Sequence, residues 1–257
     1  MRNYCLTGVA LVAVTVLSSA CVTEEAAETS STSGTLVTTT TSLIKQSSTT
    51  ASGPGPTPDL CQPSDSSCIG PLAPGIHTTA NLIMPLTFEV PEGWSKQLDV
   101  PGSVGLQSNA VPEGWIAIIP DWAIASQDNC TSDPEEGLGR TVGDLVAWLT
   151  EHQGLVTSPP SPASLGGLEG QVLDVRRDPE WNGPCSGRVS LFTHQGTIND
   201  VGWWDVNDFA RLRLHFLDAG NGHTVTVHIE TTNEESFERF IEVATPIVEG
   251  FEFEAAP

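Results

Sequence analysis

The chain has 257 residues, of which 32 are acidic and 10 basic, for a formal charge of −22; 39% are hydrophobic and only 16% charged. So large an acidic excess excludes an ordinary nucleic-acid binder, which needs a basic face to neutralise phosphate, and disfavours electrostatic docking on an anionic membrane. The hydrophobic fraction suffices for a core, but the low charged fraction says that part of the chain is neither core nor ordinary charged surface.

Residues 1–20 have the form of a secretory signal. Arg2 supplies the positive start, Leu6 to Leu17 make a twelve-residue apolar stretch, and Ser18-Ser19-Ala20 is a small-residue exit. A bilayer-spanning helix takes about 20 apolar residues, so this stretch is too short to cross. The next residue is Cys21. Together Leu17-Ser18-Ser19-Ala20-Cys21 resembles the lipobox of bacterial lipoproteins, with Ser18 standing where that family usually has Leu. The resemblance implies that Cys21 becomes the acylated first residue, its palmitate-type chains anchoring the protein to the outer face of the bacterial cell membrane. Each buried methylene would contribute ~0.8 kcal/mol, so no basic patch is needed for retention. Ordinary cleavage after Ala20, giving a secreted protein, is the alternative.

Residues 21–70 are rich in Ser, Thr and Pro, including Thr38-Thr39-Thr40-Thr41-Ser42 and Gly53-Pro54-Gly55-Pro56. Such composition cannot bury enough apolar surface to offset its ordering entropy, so a disordered tether is expected. A flexible coil of about 40 residues spans roughly 35 Å root-mean-square.

The remainder, 71–257, is expected to fold as one domain. It holds 27 acidic and eight basic side chains, so the acidity belongs to the domain rather than to the tether. Alternation and turn signals predict strands at 86–90, 95–100, 115–119, 171–175, 189–193, 210–217, 224–230 and 250–254. Val142, Leu145, Val146 and Leu149 form a helical stripe with Thr141 as N-cap and Asp144 three residues on. A second stripe runs through Phe237, Phe240, Ile241, Ala244 and Val248, with Thr232 and Glu235 as its expected capping box and Pro246 expected to end or kink it. Many strands with two separated helices, and no βα alternation, indicate an α+β fold on a mainly antiparallel sheet. The pentapeptide Val-Pro-Glu-Gly-Trp occurs at 90–94 and again at 111–115, where it reads as a β-turn delivering a Trp to the following strand.

Of six cysteines, Cys5 would leave with the signal and Cys21 would carry lipid. Cys61, Cys68, Cys130 and Cys185 remain, an even set suited to two disulfides in an exported chain. Four cysteines allow three pairings. Cys61 with Cys68 is the local one, and Cys130 with Cys185 would tie two turn-rich loops together.

Motifs for catalysis are lacking: the chain has no GxSxG elbow, HExxH, Walker loop or EF-hand spacing. No cofactor is expected. The hairpin around Asn221-Gly222 offers one candidate cluster. A two-residue turn there pairs residues whose numbers sum to 443, setting His215 opposite His228 and Arg213 opposite Glu230 on one polar face. Two cross-strand imidazoles could begin a metal site; a solvated face with an ion pair is the competing reading, and a four-residue turn would separate the two His. Trp203-Trp204-Asp205, in a loop-like stretch, is the second candidate. Neighbouring residues of an extended chain point to opposite sides, so one indole is expected at the surface as a platform for a sugar or protein. The alternative is that both pack.

The chain carries Leu86-Thr87-Phe88-Glu89-Val90-Pro91-Glu92-Gly93-Trp94, then Leu165-Gly166-Gly167-Leu168-Glu169-Gly170 before a strand, and ends in a Phe237–Phe253 helix-and-strand unit. In this it resembles actinobacterial exported lipoproteins of the PsbP-like class. The resemblance implies a sandwich in which two or three helices flank an antiparallel sheet, and it carries over no catalytic residues. The resulting expectation is a lipid-anchored, non-catalytic binding or accessory module of the envelope. Its partner would be a lipid, glycolipid, glycan or protein, met at Trp203, Trp204, Asp205, Arg213, His215 or His228. An envelope-acting hydrolase, or a structural partner of a membrane or cell-wall protein, is the alternative.

Overall fold

A computed structural model describes residues 59–127, 133–185, 187–193 and 203–254. The signal, Cys21 and residues 21–58 of the tether lie outside them, as do Cys130 and the side chain of Trp203. The described residues are α+β, with every pairing between named strands antiparallel.

The elements in chain order are β1 (Gly70–Pro71), β2 (Gly75–Thr79), β3 (Leu86–Val90), β4 (Trp94–Val100), β5 (Ser103–Ser108), β6 (Gly114–Pro120) and β7 (Ala123–Ile124), then helix α1 (Val142–Glu151). There follow β8 (Leu155–Thr157), β9 (Ser161–Leu165), β10 (Leu168–Arg177), β11 (Val189–Thr193), β12 (Trp203–Val206), β13 (Arg211–Gly220) and β14 (His223–Thr231). Helix α2 (Glu234–Glu249) and β15 (Glu252–Phe253) close the chain. The main sheet runs β1-β4-β5-β6-β14-β13-β10-β8, with β9 also paired to β10. Two three-stranded sheets, β12-β11-β7 and β15-β3-β2, complete the sandwich.

Strand alternation feeds two cores on opposite faces of the main sheet. Ile116, Ile118, Val225, Val227 and Ile229 face α2 and the β15-β3-β2 sheet, packing on Phe88, Phe240 and Phe251. Leu212, Leu214, Phe216, Leu173 and Val175 face α1 and the β12-β11-β7 sheet, packing on Leu145, Leu149 and Phe192. Period-2 patterns that carry apolar residues on both faces are what a sheet covered on both sides requires.

The two Val-Pro-Glu-Gly-Trp turns serve these two cores separately. Trp94 lies 6.2 Å from the Phe240 ring in the α2 core. Trp115 packs against the other core, over Gly105, where a Cβ would come within 2.3 Å of the indole. The split follows from register: across β5, Trp94 faces Ser108 and Trp115 faces Gln107, and neighbours on a strand point to opposite sides.

Helix α1 starts with the expected capping box, Thr141 Oγ1 accepting from the Asp144 amide and the Asp144 carboxylate accepting from the Thr141 amide. Helix α2 departs from expectation twice. Its N-cap is Asn233, whose Oδ1 accepts from the Glu235 amide, rather than Thr232. Pro246 does not end it, since the helix continues to Glu249. Gly250, the next residue, caps it with bonds to Ile247 and Val248 carbonyls.

Residues 61–72 pack onto the sandwich, within the stretch 21–70 expected to be spacer. Cys61 is buried and bonded to Cys68, and the Cys61 amide donates to the Pro71 carbonyl. Lys96 Nζ donates to the Ser66 carbonyl inside the disulfide loop. Cys185 is also disulfide-bonded.

Candidate functional site

Of the six residues expected to form a binding surface, Arg213 and His215 fall into one cluster and Trp204 and His228 into another on the opposite face of the main sheet, and one extra residue separates the two His. Asn221 and Gly222 form the expected two-residue turn, both with positive φ (+54° and +82°), and Gly220 pairs with His223. A bulge at Ala219 then shifts the register by one, so that Asp218 pairs with Thr224. Further along, His215 stands opposite Val227 and His228 opposite Leu214. A one-residue slip exchanges the faces of a strand relative to its partner. The expected His215–His228 pair and the expected Arg213–Glu230 ion pair therefore do not form. Among the described residues no group of three His, Cys, Asp or Glu side chains could hold a metal.

On the α2 face, Arg213 and His215 meet Asp174 and Val172 of β10. Arg213 grips Asp174 in a bidentate pair, Nε to Oδ1 at 2.7 Å and Nη2 to Oδ2 at 3.0 Å. His215 is largely buried beside them. Burial first, then the neighbouring Arg213 charge, lowers its pKa to about 4, so the imidazole is uncharged at neutral pH. Its Nδ1 is buried and has no hydrogen-bond partner. These side chains line a groove of about 440 Å³ between β9–β10 and the last turns of α2. Leu165, Val172, Ile229 and Val248 give it apolar walls, and Ser161, Thr245 and Glu249 give it a polar rim. Asp174, the key partner of Arg213, was missed in the sequence, because its placement depends on β10 pairing with β13.

On the other face, His228 and Trp204 meet Glu230. The Trp204 indole donates from Nε1 to Glu230 Oε2 at 2.9 Å and stacks edge-on to His228, with centroids 4.4 Å apart. His228 Nε2 lies 3.5 Å from the same carboxylate oxygen. Burial raises the Glu230 pKa to about 7 against the lowering effect of the Trp204 bond, and burial lowers that of His228 to about 3. Trp204 also lies edge-on to Trp122, with centroids 6.4 Å apart. It is thus half-buried within an aromatic layer and not the exposed platform that its neighbour-alternation left open. The stretch holding it is strand β12 and not loop. Asp205, one residue on, accepts from Ser190 Oγ at 2.8 Å and pairs with Arg188 at 3.0 Å.

The two clusters differ in what they can do. The Trp204–Glu230–His228 group is closed over by the aromatic layer. The Arg213–Asp174–His215 group opens into a groove that can admit a small molecule, and its walls mix apolar surface with a few convergent polar atoms, the usual make-up of a ligand pocket.

No family model matches the chain, and no curated protein matches it. Among solved structures it is similar to the cyanobacterial PsbP (CyanoP) of Synechocystis sp. PCC 6803, with 14% identity over 73% of this chain and 98% of that one and a TM-score of 0.37. It is also similar to LpqN, described as involved in cell envelope biogenesis of Mycobacterium tuberculosis, at 11% identity over 75% of this chain and 88% of that one, TM-score 0.26. A third likeness is to a protein from Bacteroides thetaiotaomicron VPI-5482, at 12% identity over 66% of this chain, TM-score 0.31; it spans 45% of that protein. At these identities and scores none of the three assigns a function, and the α+β architecture rests on the strand pairings themselves.

Proposed function

We propose that this chain is an exported, lipid-anchored binding module of the cell envelope, and that its ligand occupies the groove between β9–β10 and α2. The observation that carries this reading is a groove of about 440 Å³ whose walls set apolar side chains beside the Arg213–Asp174 pair and the uncharged His215. The ligand is neutral and amphipathic. Arg213 is already neutralised by Asp174, and Glu249 at the rim repels an anion. Asp174, held at both oxygens by Arg213, is poorly placed to move a proton, which favours binding over hydrolysis. Export is supported by the Cys61–Cys68 disulfide, a bond that persists in oxidising compartments, and by the lipobox-like Leu17–Cys21 segment.

Ala163→Trp, on the β9 wall of the groove, should fill it without touching either core. Native mass spectrometry of the protein isolated from its own membranes should find an adduct that this variant loses. A bare mass for the wild type, with no thermal stabilisation by an envelope lipid extract, sinks the groove reading. Cys21→Ser should release the protein to the medium, and continued membrane retention would overturn the anchor.

A further inference from the structure

At the end of α1, on the sheet face opposite the groove, two indoles and an imidazole form a separate surface concavity that the groove reading does not use. Trp148 and His152 sit one helical turn apart, and their ring centroids are 4.9 Å apart at 47°. Trp181, from the turn after β10, meets the other side of His152 at 5.4 Å and 64°. With Glu151 and Gln153 these rings line a shallow pocket of about 330 Å³.

The chain gives up side chains to seat Trp181. A Cβ on Gly183 would come within 2.1 Å of the indole, and one on Gly154 within 2.8 Å of it and 2.9 Å of His152 Cε1. Both glycines are needed as bare floor, since no Cβ fits at such distances. The backbone fixes the same geometry: the Asp178 amide donates to the Gly154 carbonyl at 2.8 Å, the Trp181 amide to the Asp178 carbonyl at 3.0 Å, and Arg177 donates to the Trp181 carbonyl. The imidazole is oriented as well. His152 Nδ1 accepts from the Gly154 amide at 3.0 Å, and burial lowers the ring's pKa, so the ring is neutral with its proton on Nε2.

We infer that this concavity is a carbohydrate site that stacks a neutral pyranose on Trp148 and Trp181. The chemistry selects a sugar over the other ligands that aromatic rings attract. Half-buried indoles offer flat apolar faces to the C–H side of a pyranose ring. Around that face stand a fixed N–H donor in His152 Nε2, an acceptor pair in the exposed Glu151 carboxylate, and both kinds of group in the Gln153 amide. Vicinal hydroxyls need that mixture, whereas a quaternary ammonium ion needs rings alone and has no use for a donor. Glu151 also excludes an acidic sugar by like charge.

The test is titration of the intact protein with neutral tetrasaccharides of glucose (α- and β-linked), mannose and N-acetylglucosamine, read by tryptophan fluorescence and calorimetry. At least one should bind with a Kd below about 1 mM. Trp181→Ala and Trp148→Ala should each weaken binding by about tenfold, as loss of one aromatic contact predicts, and Trp181→Phe by less. Gly183→Ala should weaken it too, through displacement of Trp181 alone. Ala163→Trp should leave it unchanged, separating this site from the groove. Absence of binding by every saccharide at about 10 mM overturns the inference. So does binding that survives Trp181→Ala and Trp148→Ala, or a response to tetramethylammonium and not to sugars.

Discussion

His215 and His228 stand on adjacent strands but on opposite faces of the main sheet, because Ala219 is an unpaired extra residue between them. Deleting Ala219 would join Asp218 to Gly220 with Thr224 still opposite Asp218, so the pairings from Arg211 to Asp218 and the faces they set are kept and the ladder becomes regular. Arg213 and His215 would stay on the α2 side, and Leu212, Leu214 and Phe216 would stay in the α1 core. The deletion variant should therefore keep a cooperative thermal transition by circular dichroism, with a melt within a few degrees of wild type. Loss of that transition would show that the bulge is needed for more than the register it sets.

Glu230→Gln should stabilise the protein at alkaline pH. In the fold this carboxyl has a pKa near 7, against an ordinary value of 4.5, because burial penalises its charged form. Below about pH 4.5 it is protonated in both folded and unfolded chains and contributes no difference. Between about 4.5 and 7 the folded chain holds the extra proton, so stability falls as pH rises, by up to about 3 kcal/mol once past the folded pKa. Gln keeps an acceptor for the Trp204 indole and removes that cost. His228, lowered to about 3, pulls the opposite way, losing stability as pH falls below its unfolded value. It is present in both proteins and cancels. Urea midpoints should separate more at pH 8 than at pH 5; an offset independent of pH would contradict the burial argument.

Trp204→Phe removes the one donor that lowers the Glu230 pKa. The ring can still pack on His228 and Trp122, so the fold should survive with a cost of about 1–3 kcal/mol for the lost bond to a buried acceptor. The Glu230 titration, followed by carboxyl carbon NMR, should move upward from its wild-type position. A downward move would mean that water replaces the indole.

Local signals in the sequence reached the elements but not their relations. Strands β3 and β11 and the Thr141–Asp144 capping box follow directly from alternation and cap chemistry, because those are decided within a few residues. The edge strands β1, β8 and β9 are not legible, since runs of two to five residues are too short to show a period. Strand β12 hid behind two adjacent indoles. The site was half legible. Arg213, His215, Trp204 and His228 stand out in the sequence as a polar alternation and an indole pair, but their grouping depends on the Ala219 bulge, which composition does not mark. Asp174 and Glu230, the two carboxylates that complete the clusters, lie 39 and 26 positions from Arg213 and Trp204. Pairing of β10 with β13 brings in the first, and packing of the β12-β11-β7 sheet on the main sheet brings in the second.

Lys96→Met should be among the most destabilising single changes in the domain. Lys96 and Asp99 are both almost fully buried and meet at 2.6 Å. The ammonium also donates to the Ser66 carbonyl at 2.6 Å, which fastens the Cys61–Cys68 loop to β4. Asp99 Oδ1 accepts from Thr79 Oγ1 at 2.7 Å and Asn81 Nδ2 at 2.8 Å, so two neutral donors would remain around an unpaired buried carboxylate. Breaking one side of such a pair costs about 3–5 kcal/mol, or roughly 10 °C in Tm for a domain of this size. The double change Lys96→Met with Asp99→Leu removes the orphaned charge and should recover part of that loss. The cost then comes from desolvation and not from the missing attraction alone. The disulfide loop gives an independent readout, because losing Lys96 frees Ser66 without touching either cysteine. Proteolysis between residues 61 and 72 should accelerate in Lys96→Met and stay fast in the double variant, although the core has regained stability. If the single variant melts with wild type, Lys96 is not what ties this segment to the domain.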